Sequence, residues 1–244
     1  EIKEIALEKT RVSRLKAYQS KLSGLTFLDP ACGSGNFLTE SYISLRRLEN
    51  DALRYQTNQI TMGDYANPIQ VSIHQFYGIE INDFAATVAK TALWIAESQM
   101  LKETEDIIAH QIDFLPLKSY ANITEGNALR LNWEDVVPKT KLNYIMGNPP
   151  FVGARLMDAS QKSDVNLIFE GWKNVGNLDY VCCWYKKAAD LMQGTEIRSA
   201  LVSTNSVSQG ESVANLWKPL FEAGVHLDYA YRTLRWDSEA KIKA

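Results

Sequence analysis

Short apolar runs alternate along the chain with longer segments of helical periodicity. Residues 1–22 carry hydrophobic side chains at helical spacing with charged side chains between them, which predicts an amphipathic helix. Apolar runs after Gly24 predict strands at 25–28, 75–81, 121–124, 142–146 and 198–203, and the patterns between them predict helices at 36–53, 83–100 and 178–192. Strands separated by helices predict an α/β fold, with a mostly parallel sheet covered by helices on both faces.

Three stretches refine this scheme. The helix at 83–100 is expected to carry Phe84, Val88, Thr91 and Ile95 on one face. Residues 54–75 are rich in turn-forming residues and exceed the usual connection of about 2–6 residues, so they are interpreted as an insertion. Residues 225–231 form a further strand-like run, and the sequence after them has no sign of a natural terminus, which suggests a fragment.

Composition narrows the class of protein. With 244 residues, 45% of them hydrophobic and 23% charged, the chain can bury a substantial core and is not a disordered or fibrous protein. No apolar run reaches the ~18–20 residues of a membrane span, and the charged N-terminal residues do not form a signal peptide. Three cysteines cannot form a disulfide framework, so a reducing, cytoplasmic location is expected. The net charge of −3 disfavours a nucleic-acid binder held by bulk electrostatics alone.

The first informative segment is a strand, a loop with two glycines and the start of a helix at residues 27–38. Glycine lets the backbone turn sharply and allows a ligand to approach it closely. The third glycine of a dinucleotide fingerprint and the Gly-Lys-Ser/Thr ending of a phosphate-binding loop are both missing. An acid, Asp29, precedes the glycines, in a position to face a cation or a hydroxyl rather than a pyrophosphate.

Two further polar positions follow the next predicted strands. Glu80 ends the second strand, where a carboxylate suits a bidentate hydrogen bond to ribose hydroxyls. Asn127 lies in a small turn after the third strand. Each feature alone is also typical of a structural turn or a helix cap. Their order on successive strands favours a common ligand site at the carboxyl edge of the sheet.

The fourth strand runs into Asn148, Pro149, Pro150 and Phe151. Two prolines in succession fix the backbone and remove two N–H donors, which leaves the Asn148 side-chain oxygen and the Pro149 carbonyl as acceptors. Two acceptors on the hydrogens of a planar amine would direct its lone pair towards an electrophile. The Phe151 ring would stack on the base that carries the amine. An isolated Pro-Pro pair would instead be a rigid buried turn.

With both segments considered, the chain resembles the amino-group DNA methyltransferases that use S-adenosylmethionine. Residues 29–37 are similar to their first motif and residues 148–151 to their fourth, in the order of the gamma-type adenine enzymes. Similarity is greatest to the MmeI-type fused restriction–methylation enzymes, with further similar runs at 75–84, 91–97 and 231–236. The resemblance covers about residues 25–240 and implies a Rossmann-like S-adenosylmethionine-dependent methyltransferase fold.

The resemblance also implies roles for individual residues. The methionine part of the cofactor would lie among Asp29, Pro30, Ala31, Cys32, Gly33, Gly35, Asn36 and Phe37. Glu80 would hold the ribose hydroxyls, Ile81 would lie against the adenine ring, and Asn127, next to Ala128, would reach the amino group of that ring. The family more often has Asp where this chain has Asn127.

The same resemblance implies the substrate side of the reaction. Asn148 and Pro149 would accept hydrogen bonds from the target amine, with Pro150 completing the motif and Phe151 stacked on the base. Tyr231 or Trp236 would press on the other face of the base. The methyl group would pass in line from the sulfonium to the amino nitrogen of an adenine flipped out of double-stranded DNA. No membrane partner and no metal is expected.

The expected organisation is an N-terminal helical segment at 1–24 and a methyltransferase catalytic domain at 25–244. The upstream cofactor motif of the family does not match residues 1–22, and no target-recognition domain is visible. The chain is therefore expected to bind cofactor weakly, with DNA gripped mainly by a domain absent from it.

Several alternatives compete with this interpretation. A cytosine ring-carbon methyltransferase needs a Pro-Cys nucleophile, which the chain does not contain. A cytosine amino-group enzyme usually carries Ser in place of Asn148. Methyltransferases of protein glutamine or of ribosomal RNA bases use a similar loop, generally with Tyr in place of Phe151. A non-catalytic binding module that keeps the fold stays open. The three histidines are scattered, which disfavours a metal site, and Cys182 and Cys183 are expected to be buried thiols.

Overall fold

The computed structural model describes residues 2–56, 68–108 and 121–231. The chain divides into two compact units, one formed by Glu1–Asn148 with Leu191–Leu201 and the other by Pro149–Asp190 with Val202–Ala244. The first unit contains a five-stranded sheet in which every pair of neighbours is parallel, in the order β3-β2-β1-β4-β5. The α/β class and the parallel sheet predicted from the sequence are thus confirmed.

The strands are short and lie close to the predicted positions: β1 Phe27–Asp29, β2 Phe76–Glu80, β3 Asn122–Glu125, β4 Tyr144–Gly147 and β5 Arg198–Leu201. The α-helices are α1 Ile2–Ser23, α2 Asn36–Arg54, α3 Asp83–Ile108, α4 Trp133–Val136, α5 Ala159–Ile168, α6 Cys182–Met192 and α7 Lys218–Glu222. A π-helical turn at Val213–Trp217 leads into α7. The helices and strands predicted at 1–22, 25–28, 36–53, 75–81, 83–100, 121–124, 142–146, 178–192 and 198–203 are all present, with shifted ends.

The central strand β1 is the point at which the strand order reverses. Beyond it, β2 and β3 follow on one side and β4 and β5 on the other. In the register, Phe27 lies between Phe76 and Tyr144, and its ring stacks on theirs with centroid separations of 5.0 and 5.3 Å. This aromatic row fixes the alignment of three strands, so that β1, β2 and β4 all end at one edge. Crevices of this kind, at the reversal point of an open parallel sheet, are where ligands bind.

Helices α2 and α3 pack together and bury the apolar side chains of the first unit. Leu38, Tyr42 and Leu45 of α2 lie in one core cluster with three alanines of α3 and with Leu93 and Met100. Small side chains let the two helices approach closely: a Cβ on Gly35 would lie 3.0 Å from that of Ala89. Gly35 also has a φ of +84°, which an L side chain rarely adopts, and it allows the chain to turn from the loop into α2.

A buried polar network connects α1, α2 and α3 beneath this core. Arg46 of α2 pairs with Glu49 and donates to the hydroxyl of Thr104 in α3 at 2.6 Å. Gln19 of α1 donates to Glu49 at 3.4 Å and to the carbonyl of Pro68 at 3.2 Å. Helix α1 therefore packs as part of the first unit. The predicted boundary between residues 24 and 25 stays a prediction.

Three other predictions are extended, corrected or fall partly outside the described residues. The face of α3 with Phe84, Val88, Thr91 and Ile95 is largely exposed, and the core side of that helix carries alanines together with Leu93 and Met100. Residues 225–231 form no strand, and large side chains in this run, including Leu227 and Tyr229, are exposed. Of the interpreted insertion, residues 57–67 lie outside the described part of the chain; Ile73–Gln75 is a 3-10 turn closed by a capping box from Ser72.

No helix among the described residues is long and apolar enough to cross a membrane. Cys32, Cys182 and Cys183 are free and buried, so the prediction that Cys182 and Cys183 are buried thiols is confirmed. Burial raises the pKa of each thiol, that of Cys182 to about 12.

Candidate functional site

The site begins at the end of β1, where Asp29 is only 1% exposed. Its Oδ1 accepts a hydrogen bond from the N–H of Ala31 at 3.0 Å, which turns the chain back over the strand end. Burial raises the pKa of the Asp29 carboxyl from 3.8 to about 7; the Ala31 bond opposes this shift and the charge of Glu80 adds to it. A carboxyl that is ready to ionise near neutral pH therefore lies at the reversal point of the sheet.

The loop after Asp29 is fixed to the neighbouring strand by backbone hydrogen bonds. The N–H of Cys32 donates to the carbonyl of Ile79 at 3.1 Å. The N–H of Gly33 donates to Glu80 Oε2 at 2.9 Å, and the N–H of Asn82 donates to Glu80 Oε1 at 2.9 Å. Both carboxylate oxygens of Glu80 are thus held by backbone donors from two different loops. This arrangement fixes the direction in which the remaining lone pairs point.

The end of β3 joins the same edge. The N–H of Gly126 donates to the carbonyl of Glu80 at 2.8 Å. Asn127 Oδ1 accepts from the N–H of Leu129 at 2.9 Å, and the carbonyl of Ala128 accepts from the indole of Trp133 at 2.8 Å. The Asn127 amide is therefore oriented by its own turn. Ile81 is largely exposed beside these residues in the chain, while Pro30 is buried and Phe37 is half-buried.

The end of β4 lies directly against Asp29. Gly147 has a φ of +155°, and a Cβ at this position would collide with Asp29 Oδ1. The absence of a side chain at Gly147 thus allows the first and fourth predicted motifs to touch. Asn148 follows at once, and its Oδ1 is buried without a hydrogen-bond partner among the described residues. Buried polar atoms are normally satisfied, so an orphaned acceptor at a strand end indicates a place for a ligand donor.

The loop continues into the second unit. Pro149 is buried, Pro150 is exposed, and the ring of Phe151 is 45% exposed. Val152 is held on both sides of its Cα: its N–H donates to Asp179 Oδ1 at 2.9 Å, and its carbonyl accepts from the N–H of Tyr180 at 3.0 Å. An uncovered aromatic ring is therefore attached to a backbone that is fixed immediately after it.

The structure brings together some predicted site residues and leaves others apart. Asp29, its loop, Glu80, Asn127 and Asn148 all lie at the carboxyl edge of the sheet. Tyr231 is 82% exposed, with its ring 5.7 Å from that of Tyr229 in an edge-on arrangement. Trp236 lies outside the described residues. Among the residues that the structure does describe, no group of three His, Cys, Asp or Glu side chains could hold a metal ion.

Sequence reasoning missed two residues that shape this site, Gly147 and Asp179. A signal for the first was present, because a glycine directly before the Asn-Pro-Pro run is the position where a side chain would obstruct Asp29. The second gave no local signal, since Asp179 meets Val152 across 27 residues of chain.

Comparison with known proteins shows to which family the chain belongs. The MmeI DNA-methyltransferase domain family matches residues 5–244. DNA methyltransferase A of Bacillus subtilis (strain 168) is 39% identical over 255 residues, which include all of this chain and 29% of that protein. A putative type II restriction enzyme and methyltransferase of Methanocaldococcus jannaschii is 29% identical over 135 residues, 55% of this chain and 11% of its own length.

A solved structure agrees with these relatives. The type IIL restriction–modification enzyme MmeI in complex with DNA superposes with a TM-score of 0.89 and 41% sequence identity, over 98% of this chain and 33% of that one. The chain thus spans about a third of the length of the first relatives that it matches. It belongs to the MmeI DNA-methyltransferase domain family.

Proposed function

We propose that the chain transfers a methyl group from S-adenosylmethionine to the exocyclic amino nitrogen of adenine in DNA, as part of a restriction–modification enzyme. The observation that carries this proposal is the orphaned, buried Oδ1 of Asn148, which directly follows the glycine that lies against Asp29. An acceptor without a donor is what an incoming amine requires. Membership of the MmeI family and the similarity to a DNA-bound restriction–modification enzyme support the substrate class.

The residues at the ends of β1 and β2 fit this cofactor chemically. S-adenosylmethionine, when bound, supplies a methyl group on a positively charged sulfonium, which is already a strong electrophile. Glu80, together with Asp29 once its carboxyl has ionised, gives the edge of the sheet a negative charge that suits a cationic ligand. We propose that the loop from Asp29 to Phe37 holds the amino-acid part. The N-terminus of α2, which begins at Asn36, would favour its carboxylate.

The nucleoside part would occupy the ends of β2 and β3. Glu80 keeps acceptor capacity after its two backbone hydrogen bonds, because a carboxylate offers about four lone-pair sites. Ribose hydroxyls would use that remaining capacity. The exposed side chain of Ile81 offers an apolar surface for an adenine ring, and the turn that orients Asn127 sets the direction of an amide at the edge of that ring.

The chain's own contribution to the reaction is to orient the acceptor amine. Asn148 Oδ1 and the Pro149 carbonyl would each accept one hydrogen from the amino group, so that its lone pair points away from both. Since a purine amine is a weak nucleophile, this orientation and the exclusion of water supply most of the catalysis. No covalent enzyme nucleophile takes part, in keeping with the raised pKa values of all three thiols.

The exposed ring of Phe151 is the proposed stacking partner of the target base. A base must leave the duplex to reach the Asn148 loop, which costs a few kcal/mol, and stacking recovers about 1–3 kcal/mol. Tyr231 or Trp236 would cover the opposite face. We propose that DNA is gripped mainly by parts of the protein outside this acidic chain, because the relatives are about three times longer. The three buried free thiols agree with a cytoplasmic enzyme.

Calorimetric titration with S-adenosylhomocysteine tests the cofactor half of this proposal, with NAD as the control ligand. We expect saturable binding of the former only, weakened about 10–100-fold by Glu80→Ala because a charged hydrogen-bond partner is lost. Binding of NAD instead would contradict the methyltransferase assignment.

Transfer of a labelled methyl group tests the substrate half. DNA incubated with the protein and labelled S-adenosylmethionine is digested to nucleosides and separated. The expected product is N6-methyladenine. Label in a cytosine derivative would exclude adenine specificity, and label in protein or ribosomal RNA but not in DNA would favour the alternative methyltransferases.

A further inference from the structure

The backbone that carries the exposed ring of Phe151 is fixed on both sides of that residue. Pro150 precedes it and restricts rotation on that side. On the other side, Val152 donates to Asp179 Oδ1 at 2.9 Å and accepts from the N–H of Tyr180 at 3.0 Å. These two hydrogen bonds hold the peptide units on both sides of the Val152 Cα, so they resist both rotation and translation of the chain that carries the ring.

The segment that provides these two bonds is itself well anchored in the second unit. The hydroxyl of Tyr180 donates to Oδ2 of Asp164, a residue of α5 that is 1% exposed, at 2.8 Å. The ring of Tyr180 meets Trp184 edge-on with a centroid separation of 5.3 Å, and Val181 is fully buried. Residues 179–181 are therefore a well-packed anchoring segment rather than a mobile loop.

Asp179 connects this anchoring segment to the loop that carries Phe151. Its Oδ1 accepts two backbone hydrogen bonds, from Val181 at 3.1 Å within its own turn and from Val152 at 2.9 Å. A local turn needs only the first of these bonds. The second holds a residue 27 positions away, next to the proposed stacking ring.

We propose that Asp179 is a positioning residue, which sets the location of the Phe151 ring by fixing the backbone of Val152. This inference rests on the proposed function, since it assigns a purpose to the stacking ring. The operative feature is an acceptor oxygen at Oδ1, and the negative charge is not required. Loss of that oxygen leaves the Val152 N–H without its partner and lets the ring move away from the position in which it meets a flipped base. A displacement of about 1 Å costs on the order of 10²-fold in rate.

The test compares Asp179→Ala with Asp179→Asn in methyl transfer by the whole protein. Asparagine keeps an acceptor oxygen, so we expect it to retain kcat within about threefold, whereas alanine should lower kcat by about 10–100-fold. The Kd for S-adenosylhomocysteine should stay within about twofold in both variants, because the cofactor side is untouched. A folded Asp179→Asn protein as slow as the alanine variant would overturn the proposal, and so would an alanine variant with unchanged kcat.

Two further measurements separate positioning from general damage. Asp158→Ala is a matched control, because Asp158 also accepts a backbone N–H, that of Gln161 at 2.8 Å, but does so at the start of α5. An equal fall in kcat in this control would assign the effect to loss of stability. DNA with 2-aminopurine at the target position reports stacking directly: Asp179→Ala should change its fluorescence in the same sense as Phe151→Ala.

Hydrogen exchange distinguishes failure of this inference from failure of the proposed function. Asp179→Ala should accelerate exchange of the Val152 amide, and Asp179→Asn should leave it protected, whether or not the protein methylates DNA. Unchanged protection in the alanine variant would refute the positioning role. If the Val152 amide exchanges as expected in both variants but the unaltered protein does not methylate DNA, the positioning role stands and the proposed function is refuted.

Discussion

The ends of β2 and β4 each carry a hydrogen-bond acceptor at the same edge of the sheet, but only the acceptor at β2 receives hydrogen bonds. At β2, both oxygens of Glu80 receive hydrogen bonds from backbone N–H groups. At β4, the Oδ1 of Asn148 is buried and receives none from any described residue. The first acceptor contributes to the folded state without a ligand, whereas the second carries a desolvation cost that only a ligand can offset.

This difference has opposite consequences for stability. Removal of a satisfied carboxylate leaves two backbone donors unpaired and destabilises the fold. Removal of an orphaned acceptor relieves a penalty of about 1–3 kcal/mol, less the packing that the side chain provided. A group whose removal harms activity but not folding is typical of a functional site, where a stability cost is retained for function.

Asn148→Ala should have the largest effect on activity. We expect kcat for methyl transfer to fall about 10²–10³-fold, similar to the loss of one polar group that stabilises a transition state. The free energy of unfolding should stay unchanged or rise by about 1 kcal/mol, since a buried, unpaired oxygen is removed. Steady-state kinetics and urea denaturation measure the two quantities.

Asn143→Ala is the matched control for that variant. Asn143 lies just before β4, and its Oδ1 accepts from the N–H of Thr26 at 2.8 Å. This substitution should lower stability by about 1–2 kcal/mol and leave kcat unchanged. The comparison breaks down if Asn148→Ala destabilises the protein as much as its control does.

Gly147→Ala should disturb both the Asp29 carboxylate at the end of β1 and the backbone at the end of β4. A Cβ would collide with the Asp29 carboxylate, and the backbone would be held at an unfavourable φ, at a cost of about 2–4 kcal/mol. Thermal unfolding measures this loss. Gly153→Ala, where an added Cβ meets nothing within 4 Å, should change the midpoint little. Equal midpoints for the two variants would mean that Gly147 is not needed for the approach of Asp29.

Glu80→Ala should lower the free energy of unfolding by about 1–3 kcal/mol, because the N–H groups of Gly33 and Asn82 lose their shared acceptor. Glu80→Gln retains one carbonyl oxygen and should recover about half of that loss. Urea denaturation without cofactor provides the measurement. A Glu80→Ala protein as stable as the unaltered one would remove the contrast with Asn148.

The smallest expected effect is on the dependence of stability on pH. Burial raises the pKa of Asp29 from 3.8 to about 7, so the folded state holds this proton over a range in which the unfolded chain has released it. The contribution of Asp29 to stability is therefore greatest below about pH 4 and declines as pH rises towards 7, by at most ~1.4 kcal/mol per pH unit.

Asp29→Asn should flatten this part of the profile, since an amide does not titrate. Urea denaturation of both proteins at several pH values from 4 to 8 tests the expectation, because every other titrating group is common to the two. Parallel profiles would show that the Asp29 carboxyl is ionised throughout that range.

The sequence allowed much of this arrangement to be predicted, where the signal was local. Alternation of strands and helices and the turn residues after β1 and β4 are properties of neighbouring positions, and they placed Asp29, Glu80 and Asn148 at one edge. The buried face of α3 was not apparent, because periodicity emphasises large side chains such as Phe84 and Ile95. Close packing against α2 selects alanine instead.

Other features depend on partners that are distant in the chain. Residues 225–231 alternate as a strand does, but alternation alone does not provide a neighbouring strand with which to form hydrogen bonds. The bond from Val152 to Asp179 spans 27 residues and joins two segments that have no shared periodicity. Contacts of this kind arise from tertiary structure.

The buried network under α2 has a consequence for how this protein tolerates change. Gln56 donates to Gln19 at 2.9 Å, and Gln19 and Glu49 in turn hold the backbone at Pro68 and Gln70, the latter at 2.7 Å. The backbone on either side of residues 57–67 is thus anchored by the same few side chains. Insertions, deletions or a grafted peptide within that interval should therefore leave these anchors and the carboxyl edge of the sheet intact, which makes it a suitable position for an affinity tag or a fluorescent label.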